Sequence, residues 1–224
     1  MTVGDKQDRL DPARRGREAL LAAAARHEAG HALAVMREGF TLVAVEISGA
    51  APGNGVTWRM SRPDRNPWDW KRGGVQAQAA WEYYSARYLA EVRVMLAGPL
   101  AEARALNKPM RSVGAGLDMA RCEYLRKRLS AIREILQIQG ADCGPEISER
   151  FNRERTRVRQ WLAHPTNWLA IDSIACGLRQ AGRMTPGEVL RCYLVARYVS
   201  TEQECLPLEW HFDDEPERLP RQVA

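Results

Sequence analysis

Residues Arg26-His27-Glu28-Ala29-Gly30-His31-Ala32-Leu33 contain the pattern His-Glu-x-x-His. On a helix, His27 and His31 project from one face, one turn apart. Both imidazoles can then reach a single metal ion. Glu28 points about 100° away, which keeps it from joining the pair as a ligand but lets it reach a water on that metal. Two His ligands, a water and a carboxylate base make up the zinc hydrolase arrangement. The plainer reading is an amphipathic helix with two ordinary His residues. The helical context and the placement of Glu28 favour the metal.

Asp11-Pro12 predicts a helix start, with Asp as N-cap and Pro at the first helical position. The Ala- and Leu-rich run predicts a helix to about Arg37, ended by Gly39. Leu20, Ala24, His27, His31 and Ala34/Val35 lie on one stripe, so the metal-facing side continues an apolar, inward face. Gly30 costs a mid-helix position about 1 kcal/mol relative to Ala, which suggests that another element comes close there. Thr41 to Ile47 and Gly55 to Met60 read as two short strands. Strands beside such a helix can offer an edge to an extended peptide, although a purely structural hairpin fits equally well.

Further along, residues 61–74 predict a loop with Pro63, Pro67, Gly73 and Gly74, in which basic residues alternate with Trp68 and Trp70. Such a loop could suit single-stranded nucleic acid, serve as a flap over a cleft, or fold its Trp side chains back on the body. A second helix is expected from about 75 to 106, broken near Gly98-Pro99. Further helices are expected at about 117–139, 146–163, 166–180 and 185–199, the last opened by the capping box Thr185-Pro-Gly-Glu188. The fold class is therefore mainly α (α+β), with a small β-sheet beside the His-Glu-x-x-His helix. The expected organisation is a disordered N-terminus at 1–11, a domain at 12–200 and an acidic tail at 201–224.

The net charge is +5 but unevenly spread. Seven acidic residues and two Arg give residues 202–224 a charge of −5, so the remainder carries +10. A basic body can attract nucleic acid, anionic membrane or acidic substrates; an Arg-rich solvated helix surface explains it as well. The five Cys (122, 143, 176, 192 and 205) are widely spaced with no CxxC. That pattern favours a reducing, cytoplasmic setting and argues against a Cys-type zinc site. The first 18 residues lack the apolar run of a signal peptide, and no stretch of 18 apolar residues predicts a membrane span.

A catalytic zinc takes three protein ligands. The metzincin continuation needs Gly and His where Ala34 and Arg37 stand, so that class is excluded. The residues alone leave His164, His211 and a carboxylate from a later helix as candidates. Asp118 follows the Gly-rich stretch Gly114-Ala-Gly-Leu. On the residues alone, an Asp there is better explained by the free N–H groups and dipole of a helix start.

His27-Glu-Ala-Gly-His31-Ala-Leu33, Gly55-Val-Thr57, Leu96-Ala-Gly-Pro-Leu-Ala-Glu102 and Gly114-Ala-Gly-Leu-Asp118-Met-Ala-Arg121 occur in this order. In order and approximate spacing they resemble the FtsH-type zinc peptidase domain, and residues 167–190 resemble its closing helices. The resemblance implies that His27, His31 and Asp118 hold Zn2+, with Glu28 as the catalytic base. It also implies that Gly55, Val56 and Thr57 belong to the strand that flanks the substrate cleft. The sequence contains no GxxxxGK[ST] motif. The expected activity is therefore an ATP-independent zinc metalloendopeptidase acting on unfolded or flexible polypeptide. A separate ATPase partner or a homo-oligomer is compatible with this; membrane and nucleic acid are not the expected partners. The alternative is a non-catalytic zinc protein of the same fold that binds a partner or nucleic acid.

Overall fold

A computed structural model describes residues 12–48, 50–51, 53–60 and 75–201. The expectations for Asp11 and the rest of 1–11, for the 61–74 loop and for the acidic tail from 202 lie outside these residues. The elements are α1 (Pro12–Arg37), β1 (Leu42–Ile47), β2 (Gly55–Arg59), α2 (Val75–Ala105), α3 (Gly116–Ile138), α4 (Ile147–Ala163), α5 (Pro165–Ala181), β3 (Arg183–Met184) and α6 (Pro186–Thr201). The fold is mainly α with one small antiparallel sheet of order β2-β1-β3, as the sequence predicts.

Helix α1 ends where Gly39 adopts a φ of +67°. The chain reverses there, and the Phe40 N–H donates to the Val35 carbonyl at 2.9 Å, a left-handed helix stop that a side chain would strain. The turn delivers β1 directly alongside α1. The buried stripe of α1 runs through Ala24, His27, His31, Ala34 and Val35 but does not include Leu20, which is 54% exposed. The inward face therefore begins one turn later than the periodicity suggests.

Helix α2 is the central post, packing against α1, α3 and α4. The expected break near Gly98-Pro99 does not occur, and the helix passes through Pro99 without interruption. Pro99 has no N–H to give the Met95 carbonyl. Around it Val92, Val94, Leu96, Ala97, Leu100 and Ala101 are all buried. Burial of that many apolar side chains outweighs one missing hydrogen bond. Leu125, Leu129, Leu162, Ile171, Ile174 and Leu178 from α3, α4 and α5 complete one continuous core. Arg93 ties α2 to its neighbours by binding Glu38 at 2.6 Å and Glu154 at 2.9 Å.

In the sheet, Val45 pairs with Thr57 and Ile47 with Gly55. Strand β3 is two residues long, and its pairs Val45–Met184 and Glu46–Arg183 cover the far side of β1. The capping box forms as expected, the Thr185 N–H donating to Glu188 Oε2 at 2.7 Å. Strand β2 lies at the sheet edge, and among the described residues its outer side has no strand partner. None of the helices in the described residues is long and apolar enough to cross a membrane. The four described Cys are free, with Cys122 and Cys143 buried.

The contact between α1 and α2 is made at backbone distance. A Cβ on Gly30 would sit 2.7 Å from the Ala97 carbonyl oxygen and 2.9 Å from Ala101 Cβ. On an open helix face Gly→Ala gains about 1 kcal/mol. Here Gly30→Ala is expected to lose about 1–3 kcal/mol through overpacking, measured by urea unfolding. A gain in stability would show that the helices are not held this closely.

Candidate metal centre

Helix α1 presents His27 and His31 side by side. Their rings meet edge to face with centroids 4.8 Å apart, and their Nε2 atoms are 3.1 Å apart. Asp118, in the first turn of α3, lies across from them. Its Oδ2 is 3.1 Å from His27 Nε2 and its Oδ1 is 3.3 Å from His31 Nε2. The three ligand atoms lie within 4.8 Å of one another, and these residues form a group that could hold a metal ion. Two nitrogens at about 2.0–2.1 Å from a tetrahedral metal stand roughly 3.3 Å apart, so the spacing of the imidazoles suits a shared cation.

The outer hydrogen bonds set which ring nitrogens face inward. His31 Nδ1 lies 2.7 Å from the Val94 carbonyl oxygen. A carbonyl only accepts, so Nδ1 carries the proton and donates. His27 Nδ1 lies 2.8 Å from Glu102 Oε2, and this carboxylate likewise accepts a hydrogen bond from the Nδ1–H. In the neutral tautomers both Nε2 lone pairs then point at Asp118. Such a buried set of acceptors needs a proton or a cation at its centre.

In the metal-free protein that charge is a proton. Burial pulls the His27 pKa down, but the hydrogen bonds to Asp118 and Glu102 outweigh it, and the group is raised from 6.5 to about 9. Burial likewise favours neutral Asp118, yet its bonds to His27 and His31 win and hold it well below the usual carboxylate range. A metal ion would take the place of the His27 proton. Cys122, one turn after Asp118, is pushed up to about 12 by burial and by the Asp118 charge, so it stays an inert thiol.

Glu28 leaves the ligand face, as the helix geometry predicts. Its Oε2 accepts a 2.7 Å hydrogen bond from the Thr57 hydroxyl on β2. Its carboxylate packs so tightly under β2 that a Cβ on Gly55 would lie 2.9 Å from Glu28 Oε1. Gly55 and Thr57, read from sequence as substrate-strand residues, therefore also position the Glu28 side chain. Val56 points outward on the same strand and is 37% exposed. Gly98 plays the matching part on α2, where a Cβ would come 2.7 Å from the Cδ2 atoms of both His27 and His31. The whole arrangement opens into a cleft of about 750 Å³ walled by β2 and the start of α3.

Of the other candidates, His164 sits at the α4–α5 junction outside the cluster, and His211 lies beyond the described residues. Glu102, Gly98 and the Val94 carbonyl touch the two histidines, and the sequence alone assigns them no part in the site. The one signal for Glu102 is chemical: a metal-binding His usually donates its second N–H to a carboxylate or carbonyl. No protein-family model matches the chain, and no curated protein matches it.

Two outcomes follow from these contacts. His27 is protonated in the folded metal-free state up to about 9 but in the unfolded chain only up to 6.5. Its contribution to stability is thus full below pH 6.5 and is lost as the pH rises towards 9. Metal affinity should climb over the same window, by up to about tenfold per pH unit, because binding must release that proton. Isothermal titration with Zn2+ at pH 6.5, 7.5 and 8.5 checks this, and a flat affinity contradicts it. Replacing Glu102 by Gln should weaken metal binding by about 10–100-fold, as measured by chelator competition. Unchanged affinity would mean that Glu102 does not orient His27.

Proposed function

We propose that the chain is a zinc metalloendopeptidase related to the FtsH-type peptidase domain. The observation that carries this reading is the Thr57-anchored Glu28 carboxylate beside the convergent His27, His31 and Asp118. A site that used metal only for folding would not need a carboxylate braced by another element next to the ligands. Two imidazoles and a carboxylate, with room for further groups in an open cleft, suit a catalytic zinc.

A zinc ion held by His27 Nε2, His31 Nε2 and Asp118 would polarise the scissile carbonyl and lower the pKa of water. The attacking water gives a proton to a Glu28 carboxylate oxygen, and Glu28 passes that proton to the departing amine. The Thr57 hydroxyl keeps Glu28 aimed throughout. Glu102 and the Val94 carbonyl hold both imidazoles in the Nδ1–H tautomer. The outer edge of β2, with Val56 and Gly55, offers main-chain groups to an extended peptide.

Only an extended segment can lie along such an edge. The substrates are therefore unfolded or flexible polypeptides, because exposing a strand in a folded protein would require several kcal/mol. Action on folded proteins would call for a separate ATPase partner. The free cysteines fit a cytoplasmic setting.

Glu28→Gln keeps the shape of the side chain and removes its basicity. With Zn2+ present, it is expected to lower cleavage of a fluorescently labelled unfolded protein by about 10²–10⁴-fold while retaining stoichiometric zinc. Equal cleavage by both forms would rule out Glu28 as the base. Loss of zinc from both would overturn the ligand set.

A further inference from the structure

At one end of the cleft a single buried carboxylate is shared by three guanidinium groups. Glu91 on α2 is 3.5 Å from Arg59 Nη2, 3.3 Å from Arg121 Nη2 and 4.0 Å from Arg87 Nε. Among the described residues Glu91 is the only carboxylate paired with Arg59 or Arg121. One negative charge cannot balance them. Burial lowers the Arg59 pKa even against the pull of Glu91, and the neighbouring Arg121 and Arg87 charges add smaller contributions in the same direction.

Of the three, Arg59 faces the cleft. Arg59 lines it together with Thr57 and Asp118. It stands two positions after Thr57 on β2, so the two side chains share a face about 7 Å apart along the strand. Stacking over the Phe40 ring at 4.6 Å fixes the Arg59 guanidinium, and its side chain is only 15% exposed. Arg121 lies one helical turn beyond Asp118 on α3 and reaches the same Glu91 carboxylate. A guanidinium fixed and partly desolvated in this way binds a carboxylate far better than a mobile surface Arg does.

We propose that Arg59, assisted by Arg121, binds a carboxylate of the peptide about two residues from the scissile bond, so that the enzyme prefers substrates with an acidic group there. The inference rests on the peptidase reading above and names its substrate class. The carboxylate could belong to an Asp or Glu side chain or to the chain end. The two sources share this chemistry and are separated by the test.

The probes are fluorogenic peptides that differ only by Glu or Gln at each of the three positions on either side of the cut. Each is made with a free or an amidated C-terminus. The best Glu peptide is expected to exceed its Gln partner in kcat/KM by about tenfold or more. That ratio should fall to within about twofold in Arg59→Gln, shrink in Arg121→Gln, recover in part in Arg59→Lys, and decline with added salt. A preference that survives amidation assigns the site to a side chain; one that requires the free terminus assigns it to the chain end. Equal cleavage of all pairs, or a ratio unchanged in both Gln variants, overturns the inference and leaves the peptidase reading standing. Affinity of the same peptides for the Glu28→Gln protein, measured by fluorescence anisotropy, separates the two ideas further. Charge-selective binding that depends on Arg59, without cleavage by the wild type, supports the carboxylate site and removes the peptidase. Charge-blind binding overturns the site whether or not cleavage is seen.

Discussion

The backbone-level approach of α1 to α2 is the constraint on which the rest depends. Gly30 lies against the Ala97 carbonyl, and Gly98 lies beneath both imidazoles. Ala97 and Ala101, which meet Gly30 on the α2 side, have almost no exposed surface. Small side chains let the axes come close, and only at that distance can the Val94 carbonyl and Glu102 on α2 reach the outer nitrogens of His31 and His27. Larger residues in the seam would separate the histidines from the groups that orient them. The alanines thus shape the chemistry of the site without touching a ligand.

The second level is electrostatic. Glu28, Glu102 and Asp118 all lie close to two histidines in a poorly solvated place. Such a concentration of carboxylates is unfavourable unless positive charge is supplied. The raised His27 and lowered Asp118 describe how the metal-free protein supplies it, with one trapped proton. A divalent cation meets the same need more fully. Glu28 is kept apart from this cluster because its charge is bonded to Thr57 on another element. Glu28 shares α1 with both histidines, but its carboxylate is tied to β2, while Asp118 reaches the histidines from α3.

Much of this was readable from the residues because it was local. Helix α1 begins and ends at Pro12 and Arg37 as expected, since Pro12 and Gly39 are backbone signals that act on their neighbours. The His-Glu-x-x-His geometry depends on helix pitch alone. Pro99 misled because its local cost is real but is outweighed by packing from three other helices, which no window of sequence contains. Strand β3 was missed because two residues carry no periodicity; it exists through its pairing with β1. Asp118 was ambiguous on its own, since an Asp at a helix start has an ordinary explanation. Glu102 and the Arg59–Glu91–Arg121 group were invisible as sites because their partners lie tens of residues away.

The spacing of the ligands along the chain has one more consequence. His27 and Asp118 are 91 residues apart, on helices that α2 separates in sequence. An ion shared between them would act as a reversible staple closing a very long loop, and such closures most restrict the unfolded chain. Losing it would release α1 from α3 together rather than loosen a single surface turn. The supply of metal would then bear on how long each molecule stays folded.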